Sequence, residues 1–190
     1  LGKRGMAKVS IPGGCSIGSR PIDLHKKGIE SLGAQVDVKD GYVIATGKKL
    51  KGSVVDLGGP YGSTVLGTCN VMMAAVLGDG RTIIENAACE PEVQDLANFL
   101  NKAGADISAI GEKNLIIEGV DELKGIEYEI IPDRIEAGTF MIAGAITGGS
   151  IVLENGISSH MAIVVNKLRE MGVDIQASDS KQEFNGVKNG

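Results

Sequence analysis

Tryptophan is absent, and aromatic residues make up only 3% of the chain. A core built on large rings is excluded, so Val, Ile, Leu and Ala, the bulk of its 43% hydrophobic residues, must fill the interior. No apolar run approaches the ~20 residues that a membrane-spanning helix needs, so no membrane partner is expected. The opening residues, Leu1-Gly2-Lys3-Arg4-Gly5, lack the apolar stretch of a signal peptide and do not begin with Met. The three cysteines follow no metal-ligand spacing and cannot all pair with one another, which fits a reduced, cytoplasmic protein. Only two histidines occur, and no His/carboxylate spacing suits a metal. Neither a metal nor another cofactor is expected, and His25 and His160 read as surface residues.

What is present is glycine, 28 residues in a chain of 190, which implies many tight turns between short elements. The net charge of −5 argues against a nucleic-acid partner. The charge is unevenly placed: residues 1–27 carry Lys3, Arg4, Lys8, Arg20, Lys26 and Lys27 against Asp23 alone, a net of +5 that leaves −10 for the remainder. A basic stretch on an acidic chain suits a small anionic ligand, or is simply a solvated basic face.

The chain repeats itself. Leu32-Gly33-Ala34 returns as Ala103-Gly104-Ala105 and Met171-Gly172-Val173, at spacings of 71 and 68 residues. Each triplet ends an amphipathic helical pattern, and each glycine reads as the residue that stops it. The faces run through Ile22, Ile29 and Leu32; through Val93, Leu96, Leu100 and Ala103, with Pro91 in the first turn; and through Met161, Val164, Leu168 and Met171, with Ser158 or Ser159 as N-cap. Thr82-Ile83-Ile84-Glu85-Asn86 returns as Ile151-Val152-Leu153-Glu154-Asn155, and Leu50-Lys51-Gly52 as Leu123-Lys124-Gly125. An apolar helix rich in small residues precedes each Glu-Asn strand, at Val71–Leu77 and Phe140–Ile146. Further strands are expected at Tyr42–Thr46, Ser53–Leu57, Leu115–Glu118 and Tyr128–Ile131. The unit of about 70 residues is too long for an ordinary solenoid repeat and reads as an α+β subdomain with helices packed on sheets. The last copy stops partway, so the chain is expected to be part of a longer one. Its polar tail from Ser178 to Gly190 is expected to lack order.

Chemistry concentrates at Ile11-Pro12-Gly13-Gly14-Cys15-Ser16-Ile17-Gly18-Ser19-Arg20-Pro21-Ile22-Asp23. Paired glycines permit a pliant loop that approaches a ligand closely. A thiol near Arg20 and near a helix start is favoured as thiolate; the same segment is also compatible with an inert buried Cys15 and a surface Arg20. A second segment, Gly58-Gly59-Pro60-Tyr61-Gly62-Ser63-Thr64, opens an apolar helix at Val65. It is either an anion cradle at a helix N-terminus or a plain strand-to-helix turn. No Gly-Lys-Ser/Thr follows, so it is not a P-loop. Asp133 with Glu136 three residues later reads as an N-cap and its capping-box partner.

Pro12-Gly13-Gly14-Cys15, then Ile17-Gly18, then Arg20-Pro21-Ile22-Asp23-Leu24-His25 resembles the catalytic loop and sugar-nucleotide site of the UDP-N-acetylglucosamine enolpyruvyl transferase family. Glu85-Asn86-Ala87-Ala88 with Glu90-Pro91-Glu92, the run Leu115–Val120, and Pro132-Asp133-Arg134-Ile135-Glu136-Ala137-Gly138-Thr139-Phe140 are similar to further segments of that family, in the same order over residues 5–177. The resemblance implies an inside-out α/β barrel of two domains built from βαβαββ-like subdomains of about 70 residues. It places residues 1–131 in a sugar-nucleotide and catalytic-loop domain and 132–190 at the start of a second. It implies transfer of the enolpyruvyl group of phosphoenolpyruvate to the 3-hydroxyl of UDP-N-acetylglucosamine, the committing step of peptidoglycan synthesis.

By position, Cys15 matches the family's proton donor, the thiol that fosfomycin alkylates. Arg20 matches an arginine that contacts both substrates, for which a planar guanidinium is suited. Pro21, Ile22, Asp23 and Leu24 match the segment that holds the uracil end. Gly59, Pro60, Tyr61 and Gly62 fall in the loop that contacts the diphosphate. Asp133 and Arg134 fall where the family chain crosses between its domains. Two departures stand out. The loop at 58–64 is longer than in many members and lacks their basic residue, and Cys89 stands where Arg is expected, so that Cys69 and Cys89 read as small apolar fillers. The family site also draws on a Lys-Asn pair, an Asp base and further Arg residues that fall outside these 190 residues, so the chain alone is expected to be inactive. Three other readings share the fold or the repeat: 3-phosphoshikimate enolpyruvyl transfer, a non-catalytic binding module that would have no need of Cys15, and an RNA-end-processing enzyme, against which the net charge and scarce aromatics count.

Overall fold

The repeat seen in the sequence folds into three sheets of one design. The computed structural model describes residues 1–14, 16, 18, 20–177 and 181–185, and by its internal packing the chain divides into two units, Leu1–Glu129 and Ile130–Gly190. In each sheet the last strand lies between the two that a helix joins, and the second sheet carries one further strand at its edge. In the first unit, β1 (Met6–Ser10), β3 (Tyr42–Thr46) and β2 (Gln35–Lys39) form an antiparallel sheet, with α1 (Asp23–Ser31) joining β1 to β2. The second sheet runs β4-β7-β9-β8, from β4 (Val54–Asp56), β7 (Arg81–Glu85), β9 (Leu115–Glu118) and β8 (Asp106–Ser108), with α3 (Pro91–Lys102) joining β7 to β8. Between them come a two-strand hairpin, β5 (Gly58–Gly59) and β6 (Gly62–Ser63), and α2 (Val65–Ala75). In the second unit α4 (Arg134–Thr147) leads into β10 (Ser150–Glu154), a 3-10 turn and α5 (Ala162–Glu170). There β11 (Asp174–Ala177) and β12 (Lys181–Asn185) complete a sheet of order β10-β12-β11.

The stop signals work as their sequence implies. Gly33, Gly104 and Gly172 all have positive φ, at 85°, 107° and 91°. After α3, Gly104 N–H donates to Asn101 O and Ala105 N–H to Leu100 O; after α5, Gly172 and Val173 repeat the pattern with Arg169 O and Leu168 O. These paired bonds satisfy the last orphan carbonyls of each helix. Pro91 takes the first turn of α3, and Asp133 caps α4, its Oδ1 accepting from Ile135 N–H at 2.7 Å and Glu136 N–H at 3.1 Å. Asn86 and Asn155 follow their strands at φ 52° and 61°, a left-handed conformation that Asn tolerates.

The first unit's core is aliphatic, as the lack of rings requires. Leu32, Leu57, Val71, Met72, Ile84 and Ile117 are fully enclosed, each contributing about 1.5–3 kcal/mol by burial. The second unit has its own smaller core of Met141, Met161, Val165, Leu168, Val173 and Ile175.

Four expectations are corrected. Residues 128–131 form no strand; Tyr128 instead packs edge-on against Phe99 and donates its hydroxyl to Asp95. Ser158 and Ser159 lie within a 3-10 turn ahead of α5 and do not cap it. Met171 is exposed, because the buried stripe of α5 runs through Val165 and Leu168. Lys181–Asn185, part of the tail expected to lack order, is a strand whose backbone pairs with both β10 and β11.

Candidate functional site

The inward face of α1, α2 and one face of the first sheet border an open cavity of about 1020 Å³ within the first unit. Val9, Val43 and Ala45 line it from the sheet, Ile22 and Ile29 from the α1 segment, and Val65, Leu66 and Met73 from α2. Its polar lining comes from Ser10, Arg20, His25, Lys26, Thr64 and Asn70, and none of the described lining residues is acidic. Arg20 and Lys26 bring positive charge to it, Lys26 while paired with Glu30 at 3.7 Å, so the wall is suited to an anion resting on an otherwise apolar surface.

Local packing positions this wall. Helix α1 lies close against α2 at Gly28, where a built methyl would come inside 3.0 Å of Val71 Cγ2 and 3.2 Å from Leu57 Cδ2. One turn earlier, Asn70 on α2 donates Nδ2–H to His25 Nδ1 at 2.8 Å. Burial pushes the His25 pKa below its usual 6.5, with Asp23 opposing. Beside His25 in the first turn of α1, Leu24 closes on the hairpin: a methyl built on Gly59 would lie 3.1 Å from Leu24 Cδ1.

The hairpin itself is anchored by Asp56. Its Oδ1 accepts from Asn86 Nδ2 at 2.9 Å and from Gly58 N–H at 2.8 Å, and its Oδ2 from Lys27 Nζ at 3.2 Å. Asn86 first, then the Gly58 N–H and Lys27, hold the Asp56 carboxyl down to about 2. Pro60 and Tyr61 form the hairpin tip, with Tyr61 wholly exposed, and Gly62 adopts φ 100°. Thr64 then caps α2, its Oγ1 accepting from Gly67 N–H at 3.2 Å.

The candidate residues thus fall into groups. Arg20, Pro21 and Ile22 line the cavity. Leu24 and Gly59 come together, with Pro60, Tyr61 and Gly62 on the hairpin beside them. Asp23 is exposed in the first turn of α1. Asp133 and Arg134 belong to the second unit, where Asp133 serves as the α4 cap. Cys15 lies outside the described residues. His25, Lys26, Thr64 and Asn70 were missed as lining residues. His25, expected at the surface, is half-buried in the cavity wall; its spacing from Ile22 and Ile29, i+3 and i−4, already placed it on the inward face. His160 is also half-buried, its Nδ1 sequestered without a partner. Cys69 and Cys89 are half-buried, and Cys69 packs against the core. Burial, then Glu92 and Glu90, push the Cys69 thiol above its usual pKa.

No helix among the described residues is long and apolar enough to cross a membrane. Comparison with known proteins gives consistent relatives. The chain is 56% identical over 189 residues to UDP-N-acetylglucosamine 1-carboxyvinyltransferase 1 of Caldanaerobacter subterraneus subsp. tengcongensis, a match covering 100% of this chain and 45% of the relative. It is 56% identical over 176 residues to UDP-N-acetylglucosamine 1-carboxyvinyltransferase of Methylacidiphilum infernorum, covering 93% of this chain and 42% of the relative. The chain therefore spans about half the length of the curated relatives it matches. In fold it is similar to the enolpyruvyl transferase NikO from Streptomyces tendae, with a TM-score of 0.81 at 20% identity over 98% of this chain and 45% of that one. The α+β, inside-out α/β architecture implied by the motifs is borne out by that likeness. The family model of EPSP synthase (3-phosphoshikimate 1-carboxyvinyltransferase) matches residues 1–188, and the chain belongs to that family.

Proposed function

We propose that this chain is the sugar-nucleotide side of an enolpyruvyl transferase that joins the enolpyruvyl group of phosphoenolpyruvate to the 3-hydroxyl of UDP-N-acetylglucosamine in peptidoglycan synthesis. One observation carries the reading. Arg20, Pro21 and Ile22 open onto a cavity that also bears His25 and Lys26 and, among its described lining residues, no acidic one, in a chain 56% identical to UDP-N-acetylglucosamine 1-carboxyvinyltransferases.

In this reading Arg20 grips phosphate oxygens with its guanidinium fork. Pro21, Ile22, Asp23 and Leu24 hold the uracil end, and the hairpin residues Gly59, Pro60, Tyr61 and Gly62 meet the diphosphate. Cys15 delivers a proton to the methylene carbon of phosphoenolpyruvate as the sugar 3-hydroxyl, giving up its proton to a carboxylate base outside these 190 residues, bonds through its oxygen to the neighbouring carbon. Phosphate then leaves, and loss of a proton from the former methylene carbon restores the double bond. A thiol five positions from Arg20 in sequence suits that proton transfer and is also the site for fosfomycin alkylation. Asp133 and Arg134 mark the crossing into the second domain. The setting is the cytoplasm, where the thiol stays reduced, and the product serves cell-wall growth and division.

Phosphoenolpyruvate is a multiply charged anion and needs several cations around it. Within these 190 residues the cavity offers Arg20 and Lys26, so the chain by itself is expected to turn over no substrate. The decisive experiment replaces the matching 189 residues of the Caldanaerobacter relative with this chain and follows phosphate release from phosphoenolpyruvate. Release should require UDP-N-acetylglucosamine and fall by about 100-fold or more in Cys15→Ser, the span typical of a lost general acid. Release driven by shikimate 3-phosphate instead, or none with either acceptor, would refute the proposal.

A further inference from the structure

The three repeat helices present equivalent inward positions. Aligned on Gly33, Gly104 and Gly172, the residues Val93, Leu96, Ala97 and Leu100 of α3 correspond to Met161, Val164, Val165 and Leu168 at and within α5. All eight are hydrophobic and buried or half-buried. Their equivalents at α1 are Ile22, His25, Lys26 and Ile29. Two of the four core positions have become polar, and they have done so in the one copy whose inward face lines the 1020 Å³ cavity. A polar side chain at a core position costs stability unless it is hydrogen-bonded, and the structure supplies His25 with one partner.

That partner fixes the chemistry of the ring. With the Asn70 amide placed as it is here, its NH2 group donates to the Nδ1 lone pair at 2.8 Å, an arrangement that goes with a ring proton on Nε2. Burial is the larger influence on the ring and opposes a second proton, while Asp23 on the same helix favours one; Arg20 and Lys26, the latter paired with Glu30 at 3.7 Å, line the same wall. The balance lies with burial, which favours the neutral imidazole.

We infer that His25 is a positioning residue: a neutral imidazole of fixed tautomer, held by Asn70, that presents Nε2–H to an oxygen of a nucleotide bound in the cavity. The nucleotide class rests on the function proposed above; the tautomer and its lock do not. Arg20 and Lys26 attract an anion in any orientation, whereas an uncharged donor on a fixed ring selects where one oxygen lies.

The test uses the 190-residue chain labelled with nitrogen-15. The ring spectrum should show His25 with Nε2 protonated and Nδ1 bare at neutral pH, titrating with a midpoint below 6.5, and Asn70→Ala should yield a mixture of tautomers. Titration with UDP should move the His25 Nε2 signal together with the Leu24 amide. His25→Gln, whose amide nitrogen reaches the Nε2 position, should keep UDP affinity within about threefold. His25→Asn, which replaces only the Nδ1 side, should lose about tenfold, the worth of one hydrogen bond to an anion. An Nδ1–H tautomer, equal losses in the Gln and Asn variants, or UDP shifts at Leu24 that leave His25 unmoved would overturn the positioning role and leave the nucleotide reading standing. No UDP response at any cavity residue would overturn both.

Discussion

Placing a single methyl group on Gly28 tests how the site is assembled. Ala at this position gains about 1 kcal/mol of helix propensity over Gly, so on an open helix face the substitution would stabilise. Here the new methyl would meet Val71 Cγ2 inside 3.0 Å, Leu57 Cδ2 at 3.2 Å and Val55 Cγ1 at 3.7 Å. Carbon atoms pack best at about 3.5–4.0 Å, and all three neighbours are fully enclosed. Valine is stiff at χ1, so Val71 cannot swing away, and α1 must lift from α2. Overpacking of this kind costs about 1–3 kcal/mol; with a rigid β-branched neighbour the upper end applies, for a net destabilisation of about 2 kcal/mol. The control is Val71→Ala, which removes the clashing carbon. It costs about 2 kcal/mol by itself through lost burial and a small void, but it should cancel most of the Gly28→Ala penalty. The double variant should then fall short of the sum by about 2 kcal/mol, well beyond the ~0.5 kcal/mol within which independent sites add. The chain lacks Trp, so urea unfolding is followed by helical circular dichroism, with amide exchange in α2 reporting on the first unit. Gly28→Ala at or above wild-type stability, or an additive double variant, would refute the close-contact argument.

Three further outcomes are expected. Asp133→Ala should cost about 1 kcal/mol through loss of the α4 cap, read as faster exchange of the Ile135 and Glu136 amides, while Asp133→Ser keeps most of the protection; equal protection in Asp133→Ala would discard the cap. The Asp56 carboxyl has a folded pKa of about 2 against 3.8 in the unfolded chain. Its contribution is therefore present above pH 3.8 and lost as the pH falls towards 2. Protection of the Gly58 amide should hold down to about pH 4 and decline below it, and Asp56→Asn should remove that acid step. Cys69, with its thiol pKa raised by burial and by Glu92 and Glu90, should react slowly with iodoacetamide at neutral pH and quickly once unfolded in urea; rapid labelling in the native chain, located by peptide mass spectrometry, would contradict the packing described for α2.

Much of the architecture was legible because the repeat states it three times. A helix ended by glycine, followed by a strand pair, recurs with enough periodicity for α1, α3 and α5 to be read from any one copy and checked against the others. Short strands were less visible. Asp106–Ser108 is three residues long with one apolar side chain, and Met6–Ser10 exposes most of its residues, so neither carries an alternating signal above background. Lys181–Asn185 reads as polar tail because its pairing partners, at Ser150–Glu154 and Asp174–Ala177, define it more than its own composition does. Strand register is a long-range property, and local pattern reaches it only where one face is clearly apolar.

The site was legible in a different way. Arg20 and Pro21 stood out by type and spacing, but Asn70 and His25 are joined across 45 positions of sequence, which no local motif records. The repeat nevertheless held the clue. A core position that is Leu96 in one copy and Val164 in another has no structural reason to become histidine in the third. The exchange removes apolar burial and demands a hydrogen-bond partner, which α2 provides at Asn70. In a repeated fold the copies serve as one another's controls: where all agree, the side chain answers to packing, and where one departs at its own stability cost, the departure marks the surface that has something to bind. Here α1 departs at His25 and Lys26, adjacent to Arg20 and above the close contact at Gly28, and that coincidence locates the site in the first sheet's cavity.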